Sequence, residues 1–354
     1  MTKASAPGKL VLIGEYAVLT GAQALVMAVE KRAKVSILKW PTSVDSKKNV
    51  VNCYINALAF SLQTQACQII NSRFKYISPV NDELRNKLIF IEQAIVSASK
   101  YIASQGGVLC DFSITTDTSD LYSDDGCKLG FGSSAALVSA TFIGLLKFAG
   151  ITEVNCNKVL PQIVDVHRQA QGSGSGIDVA AAVMGSVIQF TLGKDKQISV
   201  KNVNLPKELQ FGAVSTRQEV NTASILAALK HYRKRDSMTY GKLMSQLSQI
   251  SHESINAIEQ QDTIRFLHAI SDYNELMIKL SDTSGIELVS QTHRLLADIV
   301  VSNGGYYKPS GAGGDLGLFA CRNQSTMKKV SDAVLQEGFE IVPLIVAGDG
   351  AIAS

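Results

Sequence analysis

The chain has 354 residues, 46% hydrophobic and 18% charged, with a formal net charge of +3 at neutral pH. That length and apolar content are enough for one large core or two ordinary ones and exclude an intrinsically disordered chain. So mild a charge, with no basic arm interleaved with aromatics, excludes a nucleic-acid grip and leaves small anions as the partners that electrostatics favours.

The cysteines Cys53, Cys67, Cys110, Cys127, Cys156 and Cys321 show no C-x-x-C pair and no histidines at zinc spacing, which reads as reduced thiols of a cytosolic protein. The opening MTKASAPGKL lacks an apolar signal core, and no apolar run reaches the roughly 18 residues of a membrane span. The expectation is a soluble, cytoplasmic protein, monomer or homodimer, with neither membrane nor nucleic acid as partner.

In chain order, apolar runs at 10–13 and 24–29 and alternation at Val35 and Ile37 predict strands over residues 4–40. Residues 41–80 are polar and irregular and read as loops with short elements. Leu88, Ile91, Ile95, Ala98 and Ile102 recur at helical spacing, predicting a helix capped by Asp82, running to about Ser104 and ended by Gly106-Gly107. Val108, Cys110, Phe112 and Ile114 alternate with Asp111, Ser113 and Thr115, a half-buried strand. The helix from Ser133 to Phe148 is apolar nearly all round, hence buried between layers. A helix over 159–171, a structured loop over 172–178 and an apolar run over 179–190 follow.

Polar residues 193–209 with Pro206 mark a domain boundary, dividing 1–205 from 206–354. Beyond it lie a strand at 211–214, a helix capped by Thr222 with Ile225, Ala228, Leu229 and Tyr232 on one face, and helical periodicity over 243–259, 264–280 and 286–301. A strand at 316–321, a helix near 325–336 and a strand at 339–346 close the chain. This order predicts an α+β unit with helices on one face of an antiparallel sheet.

Three glycine-rich segments carry chemistry. Lys128-Leu129-Gly130-Phe131-Gly132-Ser133-Ser134-Ala135-Ala136 runs into the central helix: glycines turn backbone N–H groups inward and Ser133 and Ser134 can cap the helix, so donors and a positive helix end face an anion. Ser5-Ala6-Pro7-Gly8-Lys9-Leu10-Val11-Leu12-Ile13-Gly14-Glu15-Tyr16-Ala17-Val18-Leu19 opens the chain, and Lys308-Pro309-Ser310-Gly311-Ala312-Gly313-Gly314-Asp315 lies near its end. Each sets a Lys, Ser or Asp beside its glycines, the composition of one phosphate site assembled from distant parts. Lys308 and Asp315 read as a phosphate-facing closure of that site.

These three segments, in this order, resemble the motifs of the GHMP small-molecule kinases, named for galactokinase, homoserine kinase, mevalonate kinase and phosphomevalonate kinase. The resemblance spans essentially the whole chain. It implies an α+β fold of two domains, a ribosomal protein S5 domain 2-like N-terminal domain and a ferredoxin-like C-terminal domain, with ATP and Mg²⁺ as cofactors. Gly14-Glu15-Tyr16-Ala17-Val18-Leu19-Thr20-Gly21 and Gln171-Gly172-Ser173-Gly174-Ser175-Gly176-Ile177-Asp178-Val179 look most like the phosphomevalonate kinases. Mevalonate kinases usually carry His where Tyr16 stands, Asn where Val179 stands, and a magnesium-binding Glu where His167 stands. Two departures from the phosphomevalonate pattern stand: one glycine fewer before Asp315, and Ser215-Thr216 in place of Trp-Thr.

The resemblance implies that Lys9 reaches the reacting phosphates and that Asp178 lies near the acceptor, although Asp178 also reads as a helix cap. Lys128, Gly130, Gly132, Ser133, Ser134 and Ala135 would hold the nucleotide, with the Ser134 hydroxyl on Mg²⁺. Tyr16, His167, Gln171, Ser175, Arg217, Thr222, Ser310, Gly311 and Ala312 are the candidate acceptor contacts. The run Lys230-His231-Tyr232-Arg233-Lys234-Arg235 reads as a solvated helix end. The function expected is phosphorylation of (R)-5-phosphomevalonate. The alternatives are a mevalonate kinase or another kinase of the superfamily, and a non-catalytic ligand sensor on the same scaffold.

Overall fold

The computed structural model describes residues 1–41, 50–193, 195–218 and 221–354. The first part of the chain forms β1 (Thr2–Ile13), β2 (Gln23–Lys39), β3 (Val50–Ala57), β4 (Leu62–Ile70), β5 (Arg73–Tyr76), α1 (Asp82–Ser104), β6 (Phe112–Asp117), α2 (Ser133–Phe148), α3 (Cys156–Gln171), α4 (Ile177–Met184), β7 (Val187–Leu192) and β8 (Ile198–Asn202). The second forms β9 (Gln210–Ser215), α5 (Thr222–Arg235), α6 (Ser237–Glu259), α7 (Thr263–Ser284), α8 (Gln291–Ser302), β10 (Tyr306–Ser310), β11 (Leu316–Cys321), α9 (Gln324–Gln336), β12 (Glu340–Val342) and β13 (Ile352–Ala353). The fold is α+β, as expected.

One sheet orders its strands β13-β1-β2-β6-β3-β4-β5, with β7 and β8 branching from β2. The β1–β2 register slips at Pro7/Gly8, directly before Lys9, and such a bulge re-aims the side chains that follow it. Helix α2 packs on β1 and β2 beneath α1, α3 and α4, and from Ala135 to Leu146 every residue is buried. An all-apolar helix has no face to give to water, so it becomes the central layer and holds its N-terminus rigidly.

The other sheet is antiparallel, ordered β10-β11-β9-β12. Helices cover both of its faces, not one as expected. Val214, Tyr307 and Phe319 pack with Leu296 and Val330 of α8 and α9, while Ala213, Leu318 and Ala320 join the main core with Phe266 and Tyr273 of α7. Strand β11 is accordingly buried at every position, the pattern of a strand with no solvent face. The chain's last strand, β13, returns to pair with β1.

Residues 50–76, expected as loops, form three strands; 42–49 lie outside the described residues. Cys53, Ile55, Ala57, Cys67 and Ile69 point inward. Small residues carry the alternation, and the outward amides blur it by bonding across strands, as Gln68 Nε2 does to Asn52 Oδ1 at 3.0 Å. The half-buried strand expected from Val108 begins only at Phe112, and Ser113 is buried beside Phe112 and Ile114. Of the strand expected over 339–346, only β12 forms, although Val346 bridges Val29.

Helix caps fall one residue before their expected places. Asn81 accepts from Leu84 N–H at 2.8 Å and Asn221 from Ser224 N–H at 3.2 Å, in place of Asp82 and Thr222. Helix α8 starts only after Ser290, which accepts from His293 N–H. The basic run 230–235 closes α5 with Arg233, Lys234 and Arg235 in its last turn, where cations meet the helix dipole favourably. All six cysteines are free thiols, and no described helix is long and apolar enough to cross a membrane.

Candidate active site

Strand β1 brings Lys9 against the central glycine loop, its backbone N–H donating to Phe131 O at 2.9 Å. The Lys9 side chain is buried. Its Nζ donates to Gly130 O at 3.3 Å and faces Asp178 Oδ1 at 3.7 Å. Gly130 and Gly132 take φ of 72° and 74°, and a Cβ on Gly130 would lie 2.6 Å from that of Asp315, so only glycine fits there. Gly132 is the N-cap of α2 and supplies no side-chain bond. Ser133 and Ser134 are therefore the first residues of the helix, not its caps, and its leading N–H groups remain free for an anion.

Ser134 Oγ lies 3.0 Å from His167 Nε2. The imidazole, buried on α3, is stacked on Phe90 with centroids 5.3 Å apart. Burial pulls its pKa below the usual histidine value against the opposing charge of Asp178, with Arg168 lowering it further, so the ring is neutral. Asp178 belongs to the first turn of α4, whose N-cap is Gly176, and is not itself a cap. The loop before it is clamped by Arg168, which donates to Gly174 O at 3.0 Å and Ser175 O at 2.6 Å.

Two clefts lie on either side of the Ser134–His167 contact. One is lined by Lys9, Tyr16, His167, Asp178, Thr222 and Gly311, with Val11, Val18, Leu19, Ile177 and Leu226 as an apolar wall. The other is lined by Phe90, Thr118, Tyr122, Lys128, Ser133, Ser134 and Leu137. They enclose about 710 and 1100 Å³, open mouths included. His167 and Ser134 stand in the partition between them.

Residues 94–186, which hold the central glycine loop, α2 and Asp178, match the GHMP kinases N terminal domain. Over most of its length the chain also resembles kinases of that superfamily. It is 24% identical to the phosphomevalonate kinase of Streptomyces sp. (strain CL190) over 88% of both chains. To that of Saccharolobus solfataricus it is 26% identical over 97% of this chain and 96% of the other. The solved structure of Streptococcus pneumoniae phosphomevalonate kinase in complex with phosphomevalonate and AMPPNP superposes with a TM-score of 0.77 at 18% identity, covering 98% of this chain and all of that one.

Tyr16, His167, Gln171, Ser175, Thr222, Gly311 and Ala312 line the first cleft together with Lys9 and Asp178. Lys128, Ser133 and Ser134 line the second, and Gly130, Gly132 and Ala135 form the loop and first turn beside them. Ser310 is buried, its hydroxyl spent on Val11. Arg217 lies outside both clefts: 60% exposed, it pairs with Glu340 at 3.2 Å and Asp125 at 3.6 Å. Lys308, expected to face phosphate, is fully buried and paired with Glu15.

Sequence reasoning missed Glu15 and Arg168. Nothing in a linear pattern separates Arg168 from a surface helix cation, because its partners are carbonyls of a loop that folds back. Glu15 stood inside a motif already quoted, yet its partner Lys308 is 293 residues away.

Proposed function

We propose that this protein transfers the γ-phosphoryl group of ATP to the phosphate of (R)-5-phosphomevalonate, giving ADP and (R)-5-diphosphomevalonate, a step of isoprenoid biosynthesis by the mevalonate pathway. The observation that carries the proposal is the place of Lys9 Nζ, between Gly130 O and Asp178 Oδ1 and beside Gly132, the residue that opens α2. A buried ammonium there is aimed at charge developing on a group that passes from one cleft to the other.

The nucleotide occupies the cleft of Phe90, Tyr122 and Leu137, with its phosphates on the free N–H groups at the start of α2. The acceptor occupies the other cleft, its hydrocarbon part along Val18, Leu19 and Leu226. An acceptor phosphate oxygen forms a bond to the γ-phosphorus as the bond to the ADP oxygen breaks. A phosphate with second pKa near 6 is already nucleophilic at neutral pH, so no proton must leave it and Asp178 orients the acceptor and Lys9.

Mg²⁺ would reach the site on the nucleotide, with Ser134 Oγ as its protein ligand. Among the described residues no group of three or more His, Cys, Asp or Glu forms a metal cage. A lone hydroxyl fits a cation that keeps its waters and takes phosphate oxygens. In the neutral tautomer that carries its proton on Nδ1, His167 Nε2 would accept the Ser134 hydroxyl hydrogen bond and leave the hydroxyl lone pairs for the cation. Bound there, the ion would neutralise charge on the phosphates.

The phosphomevalonate reading is supported by His167 in place of a magnesium-binding Glu, by Tyr16 and Val179, and by the two relatives of that name that cover most of the chain. The reduced thiols support a cytoplasmic setting. Coupled ADP-release assays with mevalonate and phosphomevalonate in parallel test the acceptor. Saturation at low concentration by phosphomevalonate alone is the expected outcome; saturation by mevalonate alone assigns the rival activity. ATP binding without acceptor-dependent ADP release assigns a sensor.

A further inference from the structure

Three successive residues of the last glycine segment are tied one by one to the first. Ser310 Oγ accepts from Val11 N–H at 3.1 Å and donates to Val11 O at 2.9 Å. Gly311 N–H donates to Glu15 Oε1 at 3.3 Å, and Tyr16 OH donates to Ala312 O at 2.9 Å. At the centre, the Glu15 carboxylate holds the Lys308 ammonium in a pair whose side chains are 2% and 0% exposed. Tyr273 closes the pocket, its hydroxyl donating to Glu15 O at 2.6 Å and its ring centroid 5.9 Å from Lys308 Nζ.

An ion pair this deeply buried is a poor source of stability, because desolvating both charges offsets their attraction and neutral residues of equal volume commonly do as well. What it supplies is direction. One carboxylate oxygen, Oε1, accepts from both the Lys308 ammonium and the Gly311 N–H, so Lys308 fixes the acceptor on which Gly311 is held. A Cβ built on Gly311 would lie 3.1 Å from Lys9 Nζ, so the loop held by Glu15 is the roof over the ammonium.

We propose that Glu15, through its pair with Lys308, is a positioning residue that holds Gly311 over the Lys9 ammonium and so sets where that charge meets the transferring group. It rests on the kinase reading of Lys9, and its test includes one readout that needs no turnover.

The experiment compares the parent, Glu15→Gln, Lys308→Met and the double variant Glu15→Gln/Lys308→Met. Melting midpoints, kcat and KM with ATP and phosphomevalonate are measured. Labelling of Lys9 by an amine-reactive ester is scored by peptide mass spectrometry against exposed Lys230. Each single variant leaves one buried charge unpaired and melts earlier; the double variant recovers the midpoint. Its kcat stays about a hundredfold low, the cost of a displacement near 1 Å at a reacting centre, while KM for ATP is unchanged. Lys9 labelling rises several-fold as its roof loosens.

A folded double variant with parental kcat, or with parental Lys9 labelling, overturns the proposal. So does a double variant that does not fold, since the pair then belongs to the fold itself. If the parent turns over no acceptor the kinase reading fails, and Lys9 labelling still decides whether the pair roofs the ammonium.

Discussion

Ser134 Oγ and His167 Nε2, 3.0 Å apart, join the first turn of α2 to α3 in the wall between the two clefts. Beside this neutral imidazole, Asp178 is the carboxylate that faces Lys9, at 3.7 Å. His167→Glu adds a second negative charge there. It is expected to raise KM for phosphomevalonate by at least about tenfold, the equivalent of roughly 1.4 kcal/mol of like-charge repulsion, with KM for ATP changing far less. Steady-state kinetics with each substrate varied in turn checks the split; equal rises in both would place His167 elsewhere in the mechanism.

Lys9→Met keeps the side chain's length and removes its charge. Turnover is expected to fall by at least about a hundredfold, the scale of losing a charge aimed at the transition state. Parental rates in the variant would remove Lys9 from the mechanism.

Asp178→Asn separates the two kinds of acceptor. With a phosphate acceptor no proton needs a base, so the loss in kcat should be about tenfold and below that of Lys9→Met; an alcohol acceptor, dependent on a general base, should lose about a thousandfold or more. Rate measurements on both variants under the same conditions decide it.

His293 makes stability pH-dependent. Its Nδ1 meets Tyr307 OH at 2.6 Å, and burial, aided by the Lys308 charge, pushes its pKa down to about 4 against a contact with Gly314 that raises it. Above the unfolded value near 6.5 both states are neutral and the contribution is complete. Below it the unfolded chain takes up a proton that the folded chain refuses, so stability falls as pH drops from 6.5 toward 4, by up to about 3 kcal/mol. His167, shifted the same way, adds to the fall. Melting midpoints between pH 7.5 and 4.5 should decline less steeply in His293→Gln than in the parent; parallel declines would assign the effect to other groups.

Arg217→Ala is expected to leave KM for the acceptor within about threefold of the parent, because the guanidinium pairs at the surface with Asp125 and Glu340, where ion pairs contribute little. A tenfold or greater rise would show that the loop swings Arg217 into the cleft during turnover.

Strongly periodic elements were legible in the sequence: α2 begins and ends where its apolar run does, and β11 matches its expected bounds. Strands β3 and β4 were not, because Cys, Ala and amide side chains carry an alternation that a hydrophobic pattern barely registers. Caps were misplaced by one residue where two capping types stood side by side, as at Asn81 and Asp82, since only the φ/ψ of the formed turn selects between them.

The chain's residues alone determined which chemistry was available: three glycine segments with Lys9, Ser134 and Asp178, and the resemblance they carry. Tertiary structure alone decided which charges serve it. Lys9 and Lys308 look alike as lysines beside glycines, yet Lys308 is neutralised by Glu15 in the core while Lys9 lines a cleft facing Asp178. The difference is burial and partner, both set by contacts between residues hundreds of positions apart, and no local pattern encodes them.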